Sequence, residues 1–224
     1  MSALRGWGGM VAAIAVAVAL VAASGIVDRA GRAQRGSSSR DELLYYPSGV
    51  WARQAALGYE TAAADLAWLR GIQYYGEHRL SDQRYDMIGH VMNIVTDLDP
   101  RFTQPYVFGA FVLSQELNQP QRGLELLEKG MRANPENWKL AFETGFLHYV
   151  STHDHAAAAR YFARASSLPG HPDYTERFAA FAAQRAGDRA MAVLLWKRVE
   201  ATGNKYMREV ARRELRNLGE GEAR

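Results

Sequence analysis

A short phrase of small and bulky residues recurs along this chain at a nearly constant stride. Gly123, Leu127 and Gly130 stand opposite Ala158, Phe162 and Ala165, 35 residues on, and these stand opposite Ala192, Trp196 and Val199, 34 residues further. Upstream by 35 residues the same places hold Ile88, Met92 and Val95, with Pro100 where Pro135 stands one unit later. A period of this length marks a repeat architecture, in which each copy is one supersecondary unit that cannot bury its own apolar face. Copies of such a unit have to stack.

The elements of that unit are helices. Beyond Tyr45 the apolar spacing is helical almost throughout, and the alternation that marks a strand is nearly absent. Breaks such as Asp99-Pro100, Asn118 to Pro120, Asn134-Pro135, Pro169 to Pro172 and Gly187-Asp188 leave segments of roughly 10 to 16 residues, the length of helices in antiparallel hairpins. The first helix of each unit carries an aromatic followed three residues later by glycine, as in Trp68/Gly71, Tyr106/Gly109 and Phe142/Gly145. Glycine inside a helix costs about 1 kcal/mol relative to alanine, so its presence implies close helix packing that offsets the loss. Gly123, Ala158 and Ala192 are the small residues expected to complement it on the second helix.

These residues resemble the tetratricopeptide repeat family. Its pattern places Trp, Leu-Gly and Tyr on the first helix, Ala, an aromatic and Ala on the second, and Pro at the end. Asp154 followed by Ala158, Phe162, Ala165 and Pro169 is similar to the second half, as is Gly187 to Val199. The resemblance spans residues 64–203, about four units by the period, and implies an all-α helical-hairpin solenoid. The fourth unit departs from it, offering Phe178 and Phe181 in place of the aromatic-glycine pair, and the first has a long connection from Glu77 to Gln83. Residues 204–224, with Lys205, Arg208, Arg212, Arg213 and Arg216 beside Val210 and Leu215, read as a polar terminal helix closing the stack. Residues 45–63 read as an N-terminal cap in which Val50, Trp51, Ala55 and Leu57 cover the first hairpin. Tyr45 to Gly76 also resembles a segment of membrane-anchored bacterial proteins of this repeat class, a likeness that implies no activity.

The N-terminal region is of another kind. After a short tail, residues 1–9, Met10 to Val27 runs uncharged for 18 residues, close to the minimum for a membrane-spanning helix. Two readings stand: a retained signal anchor, which is the expectation adopted, or a signal peptide cut after a small-x-small pattern such as Val21-Ala22-Ala23. Arg29, Arg32, Arg35 and Arg40 after the span argue for a cytoplasmic domain by the positive-inside rule, whereas the short tail with its one arginine has the form of an export signal. The expectation is a single-pass protein of the bacterial inner membrane with a periplasmic domain, joined through a flexible basic linker, residues 28–44.

Charge follows this division. The formal net charge is +3, but five arginines and a single aspartate precede Asp41, leaving 22 Lys and Arg against 23 Asp and Glu in the remainder. A repeat region so near neutrality does not point to nucleic acid. The absence of cysteine excludes disulfides, thiolate metal sites and cysteine nucleophiles.

No phosphate loop, nucleophile elbow or zinc-protease helix is present, so no catalytic residue, cofactor or metal is expected. A competing reading, a metal-dependent enzyme, would draw on His148, His153 and His155, which otherwise belong to a solvated turn. Asp97 and Asp99 are a second tempting pair, explained equally by helix termination. What remains is a surface. In a stack of hairpins the first helices line a groove where a peptide or a partner helix lies, and the helix phases place Leu69, Gln73, Val107, Phe111, Glu143 and Leu147 there. Some members of the family use a basic groove to clamp a C-terminal carboxylate; this set has no Lys or Arg, which implies an apolar or mixed protein ligand. The function expected is a membrane-tethered protein-interaction scaffold in envelope assembly or transport. A self-assembling structural subunit, a homo-oligomer, is the remaining alternative.

Overall fold

A computed structural model describes residues 49–219, which form ten α-helices and no strand among the described residues. The apolar run Met10 to Val27, the linker after it and the last five residues lie outside the described residues. Among the described residues no helix is long and apolar enough to cross a membrane. A short helix α1 (Gly49–Ala55) is followed by four pairs: α2 (Glu60–Arg79) with α3 (Ile88–Leu98), α4 (Gln104–Phe111) with α5 (Pro120–Ala133), α6 (Trp138–Leu147) with α7 (His155–Ser167), and α8 (Tyr174–Arg185) with α9 (Arg189–Thr202). Helix α10 (Lys205–Asn217) ends the series. Each helix from α2 onward packs chiefly on its neighbours in the chain, within pairs and between them.

Local chemistry sets these boundaries. The Asn137 side chain accepts from the backbone N–H of Lys139 and Leu140, Asp154 from Ala157, Asp188 from Met191 and Asn204 from Met207, satisfying N–H groups that a helix start leaves without partners. Pro105 and Pro120 occupy first turns, where the missing N–H costs nothing. Between the two helices of every pair one residue turns left-handed: Gln83 (φ 56°), Asn118 (φ 53°), His153 (φ 56°) and Gly187 (φ 77°). They are spaced 35, 35 and 34 residues apart. The backbone thus repeats with the stride of the small-and-bulky phrase.

That phrase describes the packing inside the pairs. A methyl group added at Gly109 would come within 2.6 Å of Leu126 and 2.8 Å of Met92, and at Gly71 within 2.6 Å of Met92, so Met92 of α3 fills the space that both glycines open. Tyr106 lies across Gly130 of α5, whose added Cβ would stand 2.8 Å from the ring. Gly145 makes room for Phe162 at 2.9 Å, and Gly123 brings α5 against the Ala110 carbonyl at 2.9 Å. Leu127, Ala158, Phe162, Ala192 and Trp196 are all fully buried. Burial lifts the Tyr106 phenol to about 12, with Asp97 and Asp99 adding to the shift against a hydrogen bond from Thr96, so the ring stays neutral in the core.

The fourth pair packs by other means. Alanines at 179, 180, 182 and 183 do the work of glycine, and Phe181 meets Trp196 edge-on at 4.7 Å. The indole N–H of Trp196 donates to the Gln184 amide oxygen at 3.1 Å. At the C-terminal end, α10 buries Val210, Ala211 and Leu215 against α9 and leaves its Lys and Arg exposed.

At the N-terminal end the outcome departs from expectation. Helix α1 packs on α3, and the Arg53 guanidinium donates to the Asp97 carbonyl. Ala55 is exposed and Leu57 is 84% exposed, so neither covers the first pair. The reason is local: the helix ends at Ala55, and the chain leaves it through left-handed Leu57 (φ 49°) and Gly58 (φ 93°).

Candidate functional site

Helices α4 and α6 do not end cleanly. Each widens into a π-helical turn, Val112–Glu116 after α4 and His148–Thr152 after α6. Such turns carry one residue more per hydrogen-bonded loop and are often found at functional sites. The two turns touch each other. The Gln115 amide donates to the Ser151 hydroxyl at 2.7 Å, while the Ser114 hydroxyl returns to the Ala110 carbonyl at 2.5 Å.

Below this bridge lies an open cleft of about 210 Å³. Val107, Ala110, Phe111 and Ser114 line one wall, and Glu143, Phe146, Leu147 and Val150 the other, with Leu127 of α5 between them. Each wall is an i, i+3, i+4, i+7 stripe, and the two are the same positions 36 residues apart. Phe111 is 50% exposed, Phe146 is 42% exposed and Val150 is exposed as well, an unusual display of adjacent apolar side chains.

Four of the six groove residues expected from the helix phases, Val107, Phe111, Glu143 and Leu147, therefore share one cleft. Leu147 forms its base, at 5% exposure, and is as much core as surface. Leu69 and Gln73 are exposed on α2 but do not line it. The seam between α2 and α4 is filled by rings: Phe108 meets Trp68 at 5.5 Å and Tyr75 at 5.1 Å, both edge-on. Arg79 and Tyr75 close its end by bonding Glu116, at 2.8 and 3.2 Å. The residue 36 places after Phe108 is Thr144, fully buried with its hydroxyl on the Leu140 carbonyl at 2.8 Å. Among the described residues no ring pair joins α4 to α6. Phe146, Val150, Ala110 and Ser114 were missed because only the i and i+4 members of each stripe were taken; the full stripe contains them.

No protein-family model matches the chain, and no curated protein is significantly similar to it. Function is therefore argued from the site itself.

The electrostatics of the cleft rest on one group. Burial pushes the Glu143 carboxyl above the ordinary carboxylate range, and Lys139, one turn earlier, offsets part of that shift. Its carboxylate has no hydrogen-bond partner among the described residues.

The histidines do not converge. His148 stacks on Tyr161 at 5.4 Å and bonds the Thr152 hydroxyl at 3.2 Å, His155 leans on Tyr149 at 4.9 Å, and His153 is the exposed left-handed residue of the turn. Burial holds the His148 imidazole below its ordinary value, with Asp154 opposing the shift. No group of three or more His, Asp or Glu able to share a metal ion occurs among the described residues. Asp97 and Asp99 are likewise separated in role: Asp97 pairs with Lys129 at 2.6 Å, and Asp99 accepts from the Arg101 backbone at 2.9 Å. A larger cavity of about 440 Å³ between α7, α8 and α9 is lined mainly by alanines. The carboxylate at its rim, Asp188, is committed to capping α9.

Proposed function

We propose that this chain is a tetratricopeptide-like helical solenoid that acts as a protein-interaction module, held at a bacterial membrane by its N-terminal apolar run and capturing a partner segment in the cleft between α4 and α6. The observation that carries this reading is the exposure of Phe111, Phe146 and Val150 along a concave seam whose base is already packed. Isolated exposed apolar residues need no explanation, but adjacent ones rimming a cleft mark a docking surface. The volume falls below the roughly 300 Å³ at which small-molecule pockets begin, so the ligand favoured is a side chain or two from a protein segment. Support for the family reading comes from the repeating stride, now present in both side-chain packing and left-handed turns. The membrane tether rests on the length and composition of residues 10–27 alone.

The test is a pair of variants on the intact chain. Phe111→Asp with Phe146→Asp should abolish co-purification of the partner from detergent-solubilised membranes while helix content by circular dichroism stays unchanged. Capture that survives both substitutions places the partner elsewhere. Leu147 is unsuited to this purpose, because an aspartate at so buried a position would unfold the helix pair.

A further inference from the structure

Glu143 is the only charged residue among those lining the cleft. Its surroundings give it nothing to bind. The Ser114 hydroxyl is occupied by the Ala110 carbonyl, and the Gln115 amide by Ser151. The remaining lining side chains are apolar, so Glu143 stands half-buried among them with no hydrogen bond of its own from any described residue.

Such a carboxylate discriminates between ligands. A wholly apolar segment entering the cleft would strip the remaining water from Glu143 and supply nothing in return, which is costly for a charged group. An acidic segment would add repulsion. A Lys or Arg on the entering segment would replace the lost water with a charge-assisted hydrogen bond. The field of the surrounding molecule acts in the same direction. Residues 41–187 carry 13 Lys and Arg against 17 Asp and Glu, whereas residues 188–224 carry nine against six. The body around the cleft therefore draws basic segments toward it, and the basic end of the chain lies in its final helices.

Resting on the reading of the cleft as a docking surface, we propose that its occupant is a basic amphipathic segment of a partner protein, lodging an apolar side chain between Phe111 and Phe146 and pairing a Lys or Arg with Glu143. This is the reverse of a basic groove that clamps a carboxylate. The pairing selects the partner; the apolar walls hold it.

Phage-displayed random dodecapeptides, panned on the detergent-purified full chain, provide the probe. Enriched sequences should combine a large apolar residue with a Lys or Arg within about one helical turn of it. A fluorescent copy of the strongest peptide, measured by anisotropy, should lose at least about tenfold in affinity when its basic residue becomes norleucine. Glu143→Gln should weaken the parent peptide by a similar factor and leave the norleucine peptide unaffected, the mark of direct coupling. Phe146→Asp should abolish binding of both. Enriched peptides that lack a basic residue, or a norleucine peptide that binds the unaltered chain as well as its parent does, overturn the Glu143 pairing while the cleft reading survives on the Phe146→Asp result. Binding that ignores Phe146→Asp, or a library that yields no enriched sequence, overturns both.

Discussion

Two seams between first helices, side by side in the same molecule, are built to opposite ends. Between α6 and α8 the Phe142 ring meets Tyr174 at 5.4 Å and Phe178 at 5.2 Å, and Phe178 reaches on to Phe162 at 5.4 Å, so the seam is a solid aromatic cluster. Between α4 and α6 no ring pair forms among the described residues, and Phe111 and Phe146 are left on the rim of an open cleft. The units are alike in the phrase that packs their two helices together and unlike at the positions that face the next unit. A repeat can therefore keep its stacking rule while one seam is released from stability and given over to recognition.

The largest predicted effect is on the filled side. Phe162→Ala should remove about 3 to 5 kcal/mol of unfolding free energy, because it takes a fully buried ring from contact with Phe142, Phe178 and Gly145. Chemical denaturation measures this, and a loss below about 1 kcal/mol would mean that the cluster is not a cooperative core. Gly145→Ala comes next. The added methyl would sit 2.9 Å from the Phe162 ring and 3.2 Å from the Ala158 carbonyl, so crowding of about 1 to 3 kcal/mol should outweigh the gain of about 1 kcal/mol in helix propensity. A stabilised variant would show that the two helices are not held at the distance described.

On the open side the same kind of change should barely register in stability. Phe146→Asp and Val150→Trp are each expected to shift unfolding by no more than about 0.5 kcal/mol, as for surface positions. Val150→Trp should nonetheless block ligand entry by placing an indole where the neighbouring seam has its rings. A large stability change in either variant would erase the distinction between the seams.

The smallest effects are those of pH. The folded-state value of Glu143 is raised from 4.5 by burial, so its relative stabilising contribution is present below 4.5 and is lost as pH rises through that raised value. His148 runs the other way: its value is depressed from 6.5, so its contribution is present above 6.5 and is lost as pH falls through the depressed value. Thermal melts across this range should flatten on the acid side of 6.5 in His148→Gln. Glu143→Gln should instead remove the change just above 4.5.

How much of this was legible beforehand depended on what each feature asks of its residues. The stride was readable because close helix packing demands a small residue opposite a bulky one at fixed intervals, and Gly109, Gly145, Leu127 and Phe162 are such residues. The left-handed turns were hidden at Gln83 and His153, whose side chains do not advertise a positive φ as glycine does at Gly187. The π turns left no mark, since an apolar stripe runs through Ser114 and Val150 at ordinary helical spacing. Leu69 and Gln73 were placed by the phase of their helix, which holds no information about Phe108 filling the seam beside them. Leu57 was assigned to a cover by its hydrophobicity, and a backbone turn took it into solvent.

The contrast between seams can be measured directly, because the chain contains no cysteine and any thiol introduced reports on its own site. Single-cysteine variants Phe146→Cys and Phe178→Cys should be labelled with a maleimide dye on the folded chain, with and without the selected peptide at saturation. The account predicts rapid labelling at 146, slowed by the peptide, and slow labelling at 178 that the peptide leaves unchanged. Equal rates at the two positions, or a peptide that protects 178 and not 146, would contradict it.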